Sequence, residues 1–146
     1  PTAPSHFLLG KMAEERGDMQ GALKNYAVAA DSNSEIGKQS SAEYVRLDLP
    51  QHPAKYLQTA AQADNYGNLF AVVANPTPLA VNRVQVRVVQ YDAQTGRAIA
   101  QSQPMLISGG IASNKRGQVA VNGVRVTTQQ ELQLYKVVVE AAELAK

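Results

Sequence analysis

The pattern of apolar, small and capping residues in the first thirty positions predicts a helical hairpin. Ser5 is expected to cap a first helix that runs to about Arg16. Gly17-Asp18 is expected to end that helix and to cap a second helix, which runs to about Ala30.

Small residues indicate where the two helices of the hairpin meet. Ala22, Tyr26 and Ala29 are spaced four and three positions apart, which places them on one face of the second helix. Leu9 and Gly10 of the first helix are predicted to face them, and Gly10 permits a close approach because it has no side chain.

A third helix is predicted after the hairpin. Ser34 is a suitable N-cap, and the helix is expected to run from about Glu35 to Leu47. Its predicted buried residues are Ile36, Tyr44 and Leu47.

The hydrophobic pattern changes at Leu49-Pro50-Gln51-His52-Pro53, where two nearby prolines disfavour a continuous helix. Residues before this point favour helix, whereas valine-rich segments alternating with polar residues follow it. The sequence therefore predicts a helical segment over residues 1–50 and a β-sandwich domain over residues 51–146, which is an α+β fold.

Seven strands are predicted in the second part, as in an immunoglobulin-like antiparallel sandwich. Val84, Val86 and Val88 alternate with polar residues, so one face of that strand is expected to be buried. Turns are predicted at 64–67 and 93–96, and Asn122-Gly123 is typical of a two-residue hairpin. The predicted strands cover residues 55–63, 68–75, 81–92, 97–107, 117–121, 124–128 and 133–142, and the alanine and glutamine content of the first would also suit a short helix.

Composition narrows the functional classes. The chain has 146 residues, 45% of them hydrophobic, no cysteine and a formal charge of +2. These values are typical of a soluble globular protein, and no apolar run approaches the ~20 residues that span a bilayer. The basic residues are scattered, which argues against a nucleic-acid partner, and without cysteine neither a disulfide nor a thiolate metal site can form.

No catalytic, metal or cofactor residue is predicted. The two histidines, His6 and His52, lie 46 positions apart, whereas a zinc protease needs two histidines one helical turn apart with a glutamate beside them. Glu14 and Glu15 cannot act as a pair, because adjacent helical side chains point about 100° apart.

The arrangement Leu9-Gly10, Gly17-Asp18, Ala22, Tyr26 and Ala29 resembles a tetratricopeptide repeat. It departs from the family pattern at His6, near the usual tryptophan, and at Ser34, which replaces the closing proline. The resemblance implies the terminal repeat of an array, capped by the third helix, and hence an exposed apolar face.

The run 86–92, with Asn75-Pro76-Thr77-Pro78 and 135–142, resembles bacterial FxLYD-like sandwich domains, although Val88 and Gln90 replace the phenylalanine and leucine of that motif. Residues 1–10, 44–50 and 53–56 resemble the C-terminal, non-catalytic tail of BepA-related periplasmic zinc metalloproteases. That resemblance implies a periplasmic or cell-envelope protein with a protease domain upstream. Composition alone leaves the cytoplasm open.

These features together predict a non-catalytic protein-interaction module, the accessory tail of a larger bacterial envelope protein. Two alternatives stay open: a ligand-binding or enzymatic domain whose site is not visible in the sequence, and a structural domain that self-associates through the open helical face. Exposed apolar contacts are expected at Phe7, Leu8 and Met12, although Phe7 and Leu8 could instead be core residues that pack on the third helix or the sandwich. The other predicted partner contacts are Lys11, Glu14 and Glu15, by resemblance to the inner face of helical repeats, and Tyr66, in a hairpin tip.

Overall fold

The computed structural model describes residues 2–145, and the chain forms two compact units, Pro1–Gln51 and His52–Lys146. The first unit is helical, and the second contains two antiparallel sheets and two short helices. The predicted α+β fold, with helices followed by a seven-stranded β-sandwich, is confirmed. The boundary that the sequence suggested, after Pro50, lies one residue before the boundary between the units.

Three helices form the first unit: α1 (Ala3–Glu15), α2 (Met19–Ala30) and α3 (Glu35–Asp48). Asp18 and Ser34 cap α2 and α3 as predicted, each accepting a hydrogen bond from the backbone three residues on. The predicted cap of α1 is wrong. Thr2 accepts the hydrogen bond from the backbone N–H of Ser5, so α1 begins earlier.

The core of the helical unit is centred on Tyr26. Its ring is fully buried with Ala13 and Ala22, and a methyl group built on Gly10 would lie 2.6 Å from the ring atom Cε1. Such contacts essentially do not occur, so a residue with a side chain at position 10 would force α1 and α2 apart. The prediction for Gly10 is confirmed, but Leu9 is 45% exposed and is not among the residues packed against the Tyr26 cluster.

Helix α3 packs against the hairpin at the rim of this core. Tyr44 and Leu47 pack against the Tyr26 cluster, and Ile36 is half-buried as well, so the three residues predicted to be buried are only partly so. The buried positions of α3 include Ser40, a small polar residue that is fully buried.

Up to residue 145, the second unit begins with a short helix and contains seven strands in two sheets. One sheet has the order β1-β2-β6; in the other, β3 lies between β7 on one side and β4 and β5 on the other. All these pairings are antiparallel. The elements are α4 (Pro53–Tyr56), β1 (Gln58–Ala63), β2 (Asn68–Asn75), β3 (Val81–Tyr91), β4 (Ala98–Gln101), β5 (Met105–Leu106), β6 (Lys115–Arg125), α5 (Gln129–Leu132) and β7 (Tyr135–Leu144).

The first predicted strand, 55–63, begins only at Gln58, because the short helix α4 takes up its first residues. Two further strand assignments are wrong. The segment 97–107 is not one strand, because Ser102 and Pro104 separate β4 from β5, and proline lacks the N–H that would continue the ladder. Asn122-Gly123 is not a hairpin. It lies inside β6, where residues 122–124 are extra against β2 and Gly123 has a φ of +80°. Both halves of β6 pair with β2, so they cannot pair with each other.

Asn75 is a fully buried polar residue that joins three segments of the sandwich. Its amide nitrogen donates to the carbonyl oxygens of Leu79 (2.7 Å) and Ile111 (3.0 Å), and its side-chain oxygen accepts from the backbone and hydroxyl of Thr77. A buried amide with all its hydrogen bonds made fixes the end of β2 against two loops.

The central role of Tyr26 gives a stability prediction. Tyr26→Ala should lower the free energy of unfolding by about 3–5 kcal/mol, because it empties the centre of the helical core. Chemical denaturation followed by circular dichroism at 222 nm measures this change. Tyr66→Ala is the matched control, since Tyr66 is 76% exposed. A loss for Tyr26→Ala no larger than that of the control would contradict the assignment.

Ser40 gives a prediction of the opposite sign. Its hydroxyl is buried and makes no hydrogen bond within the described residues. Ser40→Ala should raise the free energy of unfolding by about 1 kcal/mol, because it removes an unsatisfied polar group from the core. Ser41→Ala, at the exposed neighbouring position, measures the change in helix propensity alone. The interpretation fails unless Ser40→Ala stabilises the protein more than Ser41→Ala does.

Candidate protein-interaction surface

The outer side of α1 carries three exposed apolar side chains. Leu8 is 60% exposed, and Leu9 and Met12 are each 45% exposed. Leu8 and Met12 lie four positions apart and Leu9 and Met12 three apart, so the three are neighbours on the helix surface. We refer to Leu8, Leu9 and Met12 as the α1 strip.

The position of the α1 strip follows from the packing of α1 against α2. Phe7, Gly10 and Ala13 lie three positions apart and face Tyr26, so the remaining apolar residues of the helix point outward. This places Leu8 and Met12 where the sequence predicted exposed contacts.

Phe7 does not belong to this exposed surface. Its ring is half-buried, packs on the ring of Tyr26 at a centroid distance of 5.9 Å, and has the ammonium group of Lys11 5.5 Å from its centroid. The expectation that Phe7 is an exposed contact is therefore wrong, and the alternative that it is a core residue holds. That alternative placed Phe7 against the third helix or the sandwich, whereas the observed ring contact is with Tyr26 of α2.

Two of the predicted recognition residues, Lys11 and Glu14, take part in ion pairs with α3. Lys11 lies 3.1 Å from Glu43, Arg46 lies 2.8 Å from Glu43, and Arg46 also pairs with Glu14. These four charges link the first and third helices of the unit. Lys11 and Glu14 each lie 32 positions from their partner on α3, which is why local pattern alone did not reveal these two ion pairs.

Two groups of this charged cluster, Glu43 and Tyr26, have shifted pKa values. Burial opposes ionisation of Glu43, but hydrogen bonds from Arg46 and then from Lys11 outweigh it and hold the pKa of Glu43 below its ordinary value. Burial and a 2.9 Å hydrogen bond to the carboxylate of Glu14 raise the pKa of Tyr26, so its hydroxyl remains the donor.

The two other predicted contact residues lie on exposed surfaces. Glu15 is exposed at the end of α1. Tyr66 is at the tip of the β1–β2 turn, where the carboxylate of Asp64 accepts hydrogen bonds from the backbone of Tyr66 and of Asn68, each at 2.9 Å. The Arg125 guanidinium donates to the carbonyl oxygen of Tyr66 at 2.9 Å. These hydrogen bonds hold the backbone of the turn in place, while the Tyr66 side chain is exposed to solvent.

The described part of the chain has neither a cluster of metal-ligating side chains nor a membrane-spanning helix. Between residues 2 and 145, no three histidine, aspartate or glutamate side chains form a group that could hold a metal ion. Within the same residues, no helix has the length and apolar content needed to span a bilayer. The imidazole of His6 forms a 3.0 Å hydrogen bond with the side-chain oxygen of Asn25.

Comparisons with known proteins do not identify a family. No family model and no curated protein matches the chain. Among solved structures, the chain aligns with the alkylpurine DNA glycosylase AlkC of Pseudomonas fluorescens bound to DNA containing an abasic site analog. That alignment covers 90% of this chain and 53% of the glycosylase chain, at 12% identity and a TM-score of 0.29. The chain thus spans about half of that protein, and a likeness this weak carries no information on function.

The charged cluster predicts a dependence of stability on pH. The pKa of Glu43 is lower in the folded chain, so its stabilising effect is complete above its ordinary pKa, near 4.5, and is lost as pH falls through the folded-state value. Glu43→Gln should therefore lower the free energy of unfolding at pH 7 and should cost progressively less below pH 4.5.

Denaturation curves measured across this pH range test the prediction. Glu15→Gln is the control, because Glu15 is exposed and lies outside the cluster; it should leave the unfolding free energy at pH 7 nearly unchanged. An effect of Glu43→Gln that is equal at acid and neutral pH would contradict the assigned ion pairs.

Proposed function

We propose that this chain is a non-catalytic protein-interaction module that binds a protein partner through the α1 strip. The observation that carries the proposal is the exposure of Leu8, Leu9 and Met12 side by side on one helix. Large apolar side chains that lie next to each other on a surface are typical of protein contacts, whereas isolated ones are common on any protein.

The charges near the strip support a binding role and not a catalytic one. The convergent charged groups of the helical unit neutralise each other in ion pairs, which fixes α1 relative to α3. A helix held in this way presents its outer surface without further ordering, which lowers the entropic cost of binding. Glu15 lies in the last turn of the same helix, where a charge at the rim of an interface affects specificity and association rate more than affinity.

We also propose that the module is part of a larger protein of the bacterial cell envelope. The resemblance to the tails of BepA-related metalloproteases supports a role in positioning or recruiting for a larger envelope protein. An upstream His-Glu-x-x-His motif and a signal peptide in the gene would support this context, and a gene that encodes residues 1–146 alone would contradict it.

Exposure of the α1 strip predicts that the protein binds a hydrophobic dye through it. Replacing both Leu8 and Met12 by serine should reduce 8-anilinonaphthalene-1-sulfonate fluorescence while leaving the unfolding free energy within about 0.5 kcal/mol, as for surface substitutions in general. Val28→Ser is the control, because Val28 is a comparably exposed apolar residue (47%) on α2. Equal dye binding by the double variant and the wild type would contradict the proposal.

Binding to a partner is tested by photo-crosslinking at Met12. A photoreactive amino acid at position 12, in cells that express the protein, should give a discrete crosslinked product that Leu8→Ser weakens. The same group at position 28 is the control. Crosslinks only between copies of this chain, together with a dimer in analytical ultracentrifugation, would assign the strip to self-association instead. Equal crosslinking from positions 12 and 28 would remove the support for a specific surface.

A further inference from the structure

One side of the β-sandwich is open between β4 and β6. In the described residues, β4 pairs with β3 only and β6 pairs with β2 only, so each is an edge strand of its sheet. An edge strand offers unpaired backbone groups to any extended segment that lies beside it. The two edges belong to different sheets and enclose a cleft.

The cleft extends between the sheets and has a volume of about 160 Å³. Val88 and Ala100 line it from the sheet that contains β4, and Val121 and Val124 line it from β6. None of its lining residues is charged, so the cleft suits a neutral group. The remaining lining residues are Gln90, Gln101, Ser102, Asn122 and Tyr135.

Two polar side chains that line the cleft have unused hydrogen-bonding capacity. Gln90 and Tyr135 are opposite each other on β3 and β7, and both are half-buried. Neither side chain makes a hydrogen bond to another of the residues that the structure describes. An amide and a phenol in this position can hold a polar backbone group that enters with an apolar side chain.

The backbone of β4 can pair with an added strand at Gln101. The N–H of Ser102 donates to the carbonyl oxygen of Val88 at 2.8 Å, and Gln90 is opposite Ala100 in the same ladder. Since hydrogen-bonded pairs alternate along an antiparallel ladder, the N–H and C=O of the intervening Gln101 point away from β3. These two groups therefore face the open side of the sandwich, between β4 and β6.

The size of the cleft selects among possible occupants. Pockets for drug-sized ligands and cofactors have volumes of about 300–1,000 Å³, whereas a cavity of about 150 Å³ holds a group the size of benzene. A single large side chain therefore fits the cleft, and its neighbouring backbone would lie along the edge of β4. This is the arrangement of strand addition, in which backbone hydrogen bonds supply affinity and a side-chain pocket supplies specificity.

We propose that the open side of the sandwich binds an extended, uncharged segment of a partner protein, which pairs with β4 at Gln101 and inserts one leucine-sized side chain into the cleft. This site is in the second unit and does not involve the α1 strip. Either surface can therefore fail its test without affecting the other.

A set of capped pentapeptides tests the proposal on the full chain. Acetyl-Ser-Thr-X-Thr-Ser-amide, with X as Leu, Ala or Asp, is titrated into ¹⁵N-labelled protein and followed by amide chemical shifts. The Leu peptide should shift Gln101, Ser102 and Val121, and it should bind at least about tenfold more tightly than the Ala or Asp peptide, since a filled apolar pocket discriminates by that order.

Two variants test the contributions of the cleft and of the β4 edge to binding separately. Ala100→Leu fills the cleft at an exposed position of an edge strand, and Gln101→Pro removes the outward N–H. Each should weaken binding of the Leu peptide by about tenfold or more, which corresponds to at least 1.4 kcal/mol. Ala120→Leu makes the same change as Ala100→Leu on exposed Ala120 of β6, outside the cleft, and should leave binding unchanged.

Several results would overturn the proposal. Equal affinity for the three peptides, or amide shift changes confined to other strands, would show that the cleft does not bind the side chain at position X. Binding of N-acetyl-leucinamide as tight as that of the pentapeptide would assign the cleft to small molecules and exclude a contribution from the edge. A dimer in ultracentrifugation that Ala100→Leu abolishes would identify the occupant as a second copy of this chain.

Discussion

The helical unit depends on the contact between the Tyr26 ring and the backbone of α1 at Gly10. Only glycine leaves room for the ring, so the two helices approach closely and the hydroxyl of Tyr26 reaches the carboxylate of Glu14. That hydrogen bond orients Glu14 toward Arg46 on α3, and Arg46 in turn pairs with Glu43. The packing of the three helices thus depends on one aromatic side chain, which has an apolar ring and a polar hydroxyl.

The sandwich is organised differently, because a buried amide closes one end of it. Asn75 joins the end of β2 to the loops around Leu79 and Ile111, and at this end the β6 backbone at Gly117 lies close to Ile107 and Ile111. At the other end of β6, the extra residues 122–124 interrupt the pairing with β2. The two sheets are therefore in close contact at the Asn75 end and separated by the cleft at the other.

The sequence was sufficient to predict those features that depend on neighbouring residues. The caps at Asp18 and Ser34 and the inward face of Ala22, Tyr26 and Ala29 follow from local spacing, and the structure confirms them. The Asn122-Gly123 dipeptide has the composition of a hairpin turn, but the choice between hairpin and bulge depends on pairing with β2, about fifty residues earlier.

The candidate sites were predictable to different degrees. Exposure of Leu8 and Met12 follows from helical periodicity once the inner face of α1 is known. The burial of Phe7 depends on the position of the Tyr26 ring, nineteen residues later in the chain, and local spacing does not give it. The cleft was not predictable, because its lining residues come from four strands and none has a composition typical of a binding site.

The break between β4 and β5 has a consequence for aggregation. An uninterrupted edge strand can act as a template on which further chains stack into fibrils. Here β4 is only four residues long, its register with β3 is irregular between Gln90 and Tyr91, and Pro104 follows it without an N–H to donate. The exposed edge is therefore too short and too irregular to support continuous growth, which protects a chain with an exposed Ile99 from indefinite polymerisation.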